Sequence, residues 1–191
     1  MPVLWDKKTK RIVSNSDDDL LRMLNSEFSD FANDYDFYPA DLREEIEAIN
    51  KVVYERVKNG VYRAGFATPQ RPYEIAPTHL FETLDELDAQ LGTRRYLLGD
   101  RMTEADWRLF PTLIRFDAVY HGHFKCNVRR IVDYTNLWPY LRDLYQHDDV
   151  AETVNFDHIK RHYYMTHGHI NPTWIVPIEP ALDLNAPHGR G

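Results

Sequence analysis

The fold that the sequence predicts is an all-α bundle preceded by a short β-hairpin and helix, and three patterns carry that expectation. Leu42, Ile46, Ile49 and Val53 recur at helical spacing, as do Leu80, Leu84, Leu87 and Leu91. Apolar side chains at that interval line one face of a helix and need a partner to cover them, so two long antiparallel helices follow. Thr103-Glu104-Ala105-Asp106 reads as a capping box, in which the Thr103 hydroxyl accepts from the first-turn backbone and Asp106 returns the bond. It opens a third helix, which Pro111 should kink. Ahead of these, residues 2–6 and 11–13 are β-type runs separated by Lys7-Lys8-Thr9-Lys10, a hairpin pattern.

A two-stranded hairpin is marginal by itself, and Val3, Trp5, Ile12 and Val13 present apolar faces that require more sheet or a helix over them. Asn15-Ser16 then caps a helix running to about Leu24. Between the first two long helices, residues 59–77 contain Gly60, Gly65, Pro69 and Pro72 and read as an ordered loop. After an irregular stretch over 122–135, shorter helices are expected near 137–146 and 156–164, followed by a Pro-rich tail from Pro172. The resulting division is 1–27 for the hairpin and first helix, 36–170 for the helical domain and 171–191 for an irregular tail.

With 191 residues, 43% of them hydrophobic, the chain can fill the core of one domain. A net charge of −7, with basic residues interleaved among acids, argues against a nucleic-acid partner, because phosphate neutralisation needs clustered Lys and Arg. No apolar run approaches the roughly 20 residues of a membrane span, and a cytoplasmic protein is expected. The lone cysteine, Cys126, cannot form an internal disulfide. With His121 and His123 it gives a His-x-His-x-x-Cys spacing, but a reactive thiolate needs more than Lys125 beside it, and zinc needs a fourth ligand position that nothing nearby defines. Cys126 therefore reads as a structural residue. His158 and His162, at i, i+4, and His167 with His169 are read the same way, and no metal is expected.

Five segments go further. Val61-Tyr62-Arg63-Ala64-Gly65-Phe66-Ala67, the run from Tyr96 through the capping box to Asp106, Val119 to Asn127, Asn155-Phe156-Asp157-His158-Ile159-Lys160 and Ile170-Asn171-Pro172 together resemble the xi-class glutathione transferases, the glutathionyl-hydroquinone reductase family. The resemblance implies the C-terminal helical domain preceded by the last hairpin and helix of a thioredoxin-like domain, with glutathione as cosubstrate, aromatic or quinone conjugates as ligands and a homodimer as one assembly. It places Tyr62 and Tyr163 over the hydroquinone, with the adjacent Tyr164 as a further candidate. Pro2 takes the place of the family's cis-proline, although Met-Pro is also an ordinary chain start. Ser16-Asp17 aligns, in reversed order, with the acid–serine pair that meets the γ-glutamyl carboxylate at a helix N-terminus; Asp17, Asp18 and Asp19 also suit a solvated acidic helix start. The sequence begins after the family's Cys-Pro-Trp nucleophile motif, so the expectation is a family member without its catalytic cysteine and inactive as it stands. The alternative is a noncatalytic helical module for aromatic ligands or dimerisation, or a gene fragment.

Overall fold

The computed structural model describes residues 2–178 and 180–190. Strands β1 (Leu4–Asp6) and β2 (Arg11–Ser14) pair antiparallel, Trp5 opposite Ile12 and Asp6 opposite Arg11, with an irregular register between Leu4 and Trp5. Asp6 stabilises the turn by accepting from the Lys8 N–H at 2.8 Å and from the Thr9 hydroxyl. Val3, Trp5, Ile12 and Val13 all remain about half exposed. Ser16 caps α1 (Asp17–Ser26), its Oγ accepting from the Asp19 N–H at 3.2 Å, and three aspartates fill the first turn where the helix dipole favours them.

The bundle proper begins with α2 (Arg43–Val52), a π-helical turn (Val53–Lys58) and α3 (Asn59–Gly65), which run on with no loop between them. After four residues α4 (Gln70–Leu91) packs back against α3. The expected loop over 59–77 is therefore wrong: most of it is helix. Its glycines serve close packing rather than chain breaking. A Cβ at Gly65 would stand 2.3 Å from ring carbons of Phe124, so only glycine lets α3 approach that ring, whereas one at Gly60 would meet Leu80 at an ordinary 3.6 Å. Pro69 precedes α4 and Pro72 sits in its first turn, where a missing N–H costs nothing; Pro77 lies further inside, and the helix runs through it. Both leucine stripes are borne out, with Ile46, Val53, Leu80, Leu84, Leu87 and Leu91 buried in the core.

The third helix, α5 (Glu104–Arg115), starts at the expected capping box and passes through Pro111 into a π-helical turn (Phe116–Tyr120). The stronger half of the box is the carboxylate's. Fully buried Asp106 accepts from the N–H of Thr103 at 2.8 Å, its hydroxyl at 3.2 Å, the Leu97 N–H at 3.0 Å and the Tyr140 hydroxyl at 2.8 Å. Burial pushes this carboxyl above its usual range, and the donors hold the shift back. A second carboxylate does comparable work between helices. Asp88 of α4 accepts from the N–H groups of Asn136 and Leu137 at 2.8 and 2.7 Å and so caps α6 (Leu137–Tyr145), which has no side-chain cap of its own. Buried Asp117 likewise holds the Ile131 and Val132 N–H groups at 2.7 and 3.1 Å, and α7 (Phe156–Thr166), capped by Asn155, packs on the Phe116–Tyr120 turn.

Beyond α7 the described tail has no regular element, as expected, yet it is tied down. Lys160 donates to the Pro177 and Ile178 carbonyls, Gln146 to those of Leu184 and Ala186, and Arg190 to those of Leu91, Arg94 and Arg95 at the end of α4. Among the described residues no helix is long and apolar enough to cross a membrane.

Two substitution pairs test this account. Thr103→Ala should cost about 1 kcal/mol, an ordinary cap loss, while Asp106→Ala, which strands buried donors on three residues, should cost on the order of 3 kcal/mol or more; equal shifts in urea midpoint would contradict the assignment. Gly65→Ala should destabilise by about 1–3 kcal/mol through overpacking on Phe124. Gly60→Ala should instead be neutral or gain up to about 1 kcal/mol from lower chain entropy.

Candidate functional site

Three phenols meet where α3, the Phe116–Tyr120 turn and α7 converge. Tyr62 on α3 and Tyr163 on α7 are separated by 101 positions in sequence, yet their hydroxyl oxygens lie 2.6 Å apart. The Tyr163 hydroxyl is also 2.8 Å from that of Tyr120, which ends the π-helical turn after α5. Phe124 packs against all three, with ring centroids 5.4 Å from Tyr62, 5.5 Å from Tyr120 and 5.8 Å from Tyr163. Phe66 stacks on the open side of Tyr62 at 6.3 Å. The cluster depends on the absent side chain at Gly65, which admits Phe124 beneath the helix.

Exposure falls inward along the phenols: Tyr62 is 37% exposed, Tyr163 5% and Tyr120 3%. Burial pushes the Tyr163 hydroxyl up to about 12 and drives Tyr120 further in the same direction, so both keep their protons at neutral pH. Beside Tyr62, Phe66 also lines a largely apolar groove of about 620 Å³ with Glu55, Arg56, Arg63, Ile75 and His79. The arrangement offers an aromatic ring a flat apolar contact and a hydroxyl at its edge.

The sequence expectation named Tyr62 and Tyr163, and the structure brings them together. Tyr164 is turned elsewhere: its hydroxyl donates to the Ala118 carbonyl at 3.4 Å, and its ring lies 4.5 Å from that of His123. Tyr120, Phe124 and Phe66 were not singled out, because one tyrosine among twelve carries no signal until its neighbours across the fold are known. Pro2 and Asp17 line an apolar groove of about 500 Å³ with Leu20, Leu24, Trp107 and Pro111, and the Met1–Pro2 peptide lies outside the described residues. Ser16 and Asp17 also border a polar pocket of about 440 Å³ with Arg22, Asn50 and Arg108. There Asp17 faces Lys58 at 3.7 Å and Asp18 faces Arg108 at 2.5 Å.

Cys126 is fully buried, with Sγ near the Val61 and Phe124 carbonyls, and burial pushes its thiol up to about 12. It is the opposite of an activated nucleophile. His123 does not pair with it; its Nε2 stands 3.1 Å from Nδ1 of His167. Among the described residues no group of three His, Cys, Asp or Glu is placed to hold a metal ion.

Residues 40–143 match the glutathione S-transferase C-terminal domain. The chain belongs to the glutathione transferase family. It is 56% identical over 185 residues to the glutathionyl-hydroquinone reductase PcpF of Sphingobium chlorophenolicum, covering 96% of this chain and 59% of that protein. It is similar as well to the glutathionyl-hydroquinone reductase YqjG of Escherichia coli, 52% identical over 100% of this chain and 58% of that one. The chain thus spans a little under three fifths of the length of these relatives. Superposed on the glutathione-bound structure of YqjG it gives a TM-score of 0.97 at 51% identity, covering 62% of that chain, and on the xi-class transferase of Natrialba magadii 0.97 at 52%, covering 58%.

In this transferase domain the histidines beside the phenols give a pH prediction. Burial, then the neighbouring His167, depresses His123 from 6.5 to about 4, and His167 is lowered as well. A depressed histidine stabilises the fold fully above its unfolded value and loses that contribution as pH falls through the folded one. The urea midpoint should therefore drop between pH 6.5 and about 4, and His123→Phe should flatten the drop; an unchanged slope would count against it.

Proposed function

We propose that this chain binds the aromatic part of glutathionylated hydroquinones at Tyr62 and Tyr163 and serves their glutathione-dependent reduction. The 2.6 Å approach of those hydroxyls, in a chain about half identical to two glutathionyl-hydroquinone reductases, carries the reading. In that reaction a cysteine thiolate attacks the glutathione sulfur of the conjugate. A disulfide forms, the bond from sulfur to the ring breaks, and the ring carbon leaves with the electron pair and takes a proton. A second glutathione thiolate then releases oxidised glutathione from the enzyme. A tyrosine hydroxyl donating to a ring oxygen helps the ring to accept that electron pair.

The attacking thiol is not Cys126, whose burial and raised pKa deny it the thiolate form. The glutathione end is assigned to Pro2, Ser16 and Asp17 at the head of α1. The acids there repel a carboxylate less than the sequence suggests, because Lys58 and Arg108 stand against Asp17 and Asp18. A second reading, ligand binding without turnover, draws on the same burial of the sole cysteine in these 191 residues.

Calorimetric titration with a glutathionylated hydroquinone tests the site. Tyr62→Phe should weaken binding about tenfold, the scale of one hydrogen bond, and Tyr163→Phe roughly threefold through the hydroxyl it supports, while Cys126→Ala should change neither affinity nor any release of free hydroquinone. Unchanged affinity in both tyrosine variants would remove the proposed site, and cysteine-dependent release would restore Cys126 as the nucleophile.

A further inference from the structure

The three phenols contain three protons but only two hydrogen bonds, from Tyr120 to Tyr163 and from Tyr163 to Tyr62, so one proton is left over. Where it goes follows from burial. Among the described residues the Tyr120 hydroxyl makes one well-formed hydrogen bond, to Tyr163 at 2.8 Å, and its other polar neighbour is Tyr62. Were Tyr163 to donate inward, the Tyr120 proton would be left between the rings of Phe124 and Phe116 with only the poorly placed Tyr62 oxygen to receive it, at much of the desolvation cost of an unpaired donor. His167 offers no outlet: its Nδ1 faces His123, and among the described residues neither ring nitrogen is hydrogen-bonded to a phenol.

We infer that the chain is ordered, Tyr120 donating to Tyr163 and Tyr163 to Tyr62, so that Tyr62 alone directs a proton outward and the site selects ligands presenting an acceptor oxygen, a phenolate or a quinone carbonyl. Tyr120 is then a positioning residue: it never touches the ligand, but it occupies Tyr163 as an acceptor and turns the Tyr163 proton toward Tyr62. The burial that raises Tyr163 and Tyr120 keeps both links protonated. Each donor in such a chain polarises the next, so the outermost hydroxyl is a better donor than an isolated phenol. The inference rests on the reading of this cluster as the ring-binding site, and it deepens that reading by stating which oxygen chemistry the site accepts.

The test uses the full chain and 4-nitrophenol, whose phenolate is coloured. Titrating pH at several protein concentrations yields the ratio of phenolate to phenol affinity. That ratio should fall about tenfold in Tyr62→Phe and roughly threefold in Tyr120→Phe, with Tyr163→Phe falling at least as far as Tyr120→Phe. A merely structural role for Tyr120 would move the unfolding midpoint and the overall affinity but leave the ratio alone. If Tyr62→Phe lowers the ratio while Tyr120→Phe and Tyr163→Phe keep the wild-type value, the ordered chain is overturned and the ring-binding site survives. Should the wild-type chain fail to bind 4-nitrophenol, both fall. If Tyr120→Phe does not fold, Tyr163→Phe decides, since it cuts the same chain one link nearer the surface.

Discussion

A buried carboxylate is tolerable only where donors meet it, and Asp106 is the point at which this bundle meets that demand. Its partners come from three places in the chain: the turn before α5, the strand-like bridge around Leu97, and Tyr140 in α6. Each contact is local in energy but global in consequence, because losing the carboxylate leaves backbone and side-chain donors together in an interior without water. The start of α5 is thereby fixed in position and direction. The far end of that helix runs into the π-helical turn that ends at Tyr120. The helix that Asp106 anchors at one end thus carries, at the other, the turn that bears Tyr120.

Helix existence was legible in the sequence because the cause was local. The leucine stripe of α4, the Ser16 cap, the Asn155-led final helix and the Thr103–Asp106 box each need only a short stretch of chain to state their case, and each appears near its expected place. The loop expected over 59–77 failed for a nonlocal reason. Glycine in that stretch signals chain breaking when nothing is known of its neighbours, and close approach once Phe124 is seen 59 positions later against Gly65. Asp88 as the cap of α6 was equally invisible, since a cap borrowed from another helix leaves no spacing to read.

The candidate site divides the same way. Tyr62 and Tyr163 entered by resemblance and the fold joins them, but Tyr120, which completes the chain of hydroxyls, could be recognised only from its distance to Tyr163. Tyr164 shows the limit of adjacency along a helix. Successive residues diverge by about 100° around the axis, so a neighbour of a pocket residue generally faces elsewhere, and here it faces the Ala118 carbonyl.

The shape of the site also constrains how it can hold a ligand. A ring resting on Tyr62 meets a surface 37% open, while Tyr163 behind it is almost wholly enclosed. Contact on one face removes only part of the ring from water, at roughly 25 cal/mol per Å² of apolar surface, and association itself costs several kcal/mol. On the proposed reading a free ring would therefore gain little from apolar contact alone, and the hydrogen bond from Tyr62 would carry a large share of its modest affinity. Under the proposed function a glutathione conjugate would have another resource in its peptide, whose carboxylates and amine could be held at a distance from the ring. Binding energy gathered there can be spent on placing the ring oxygen against Tyr62, which is how remote contacts are converted into alignment at the reacting atoms.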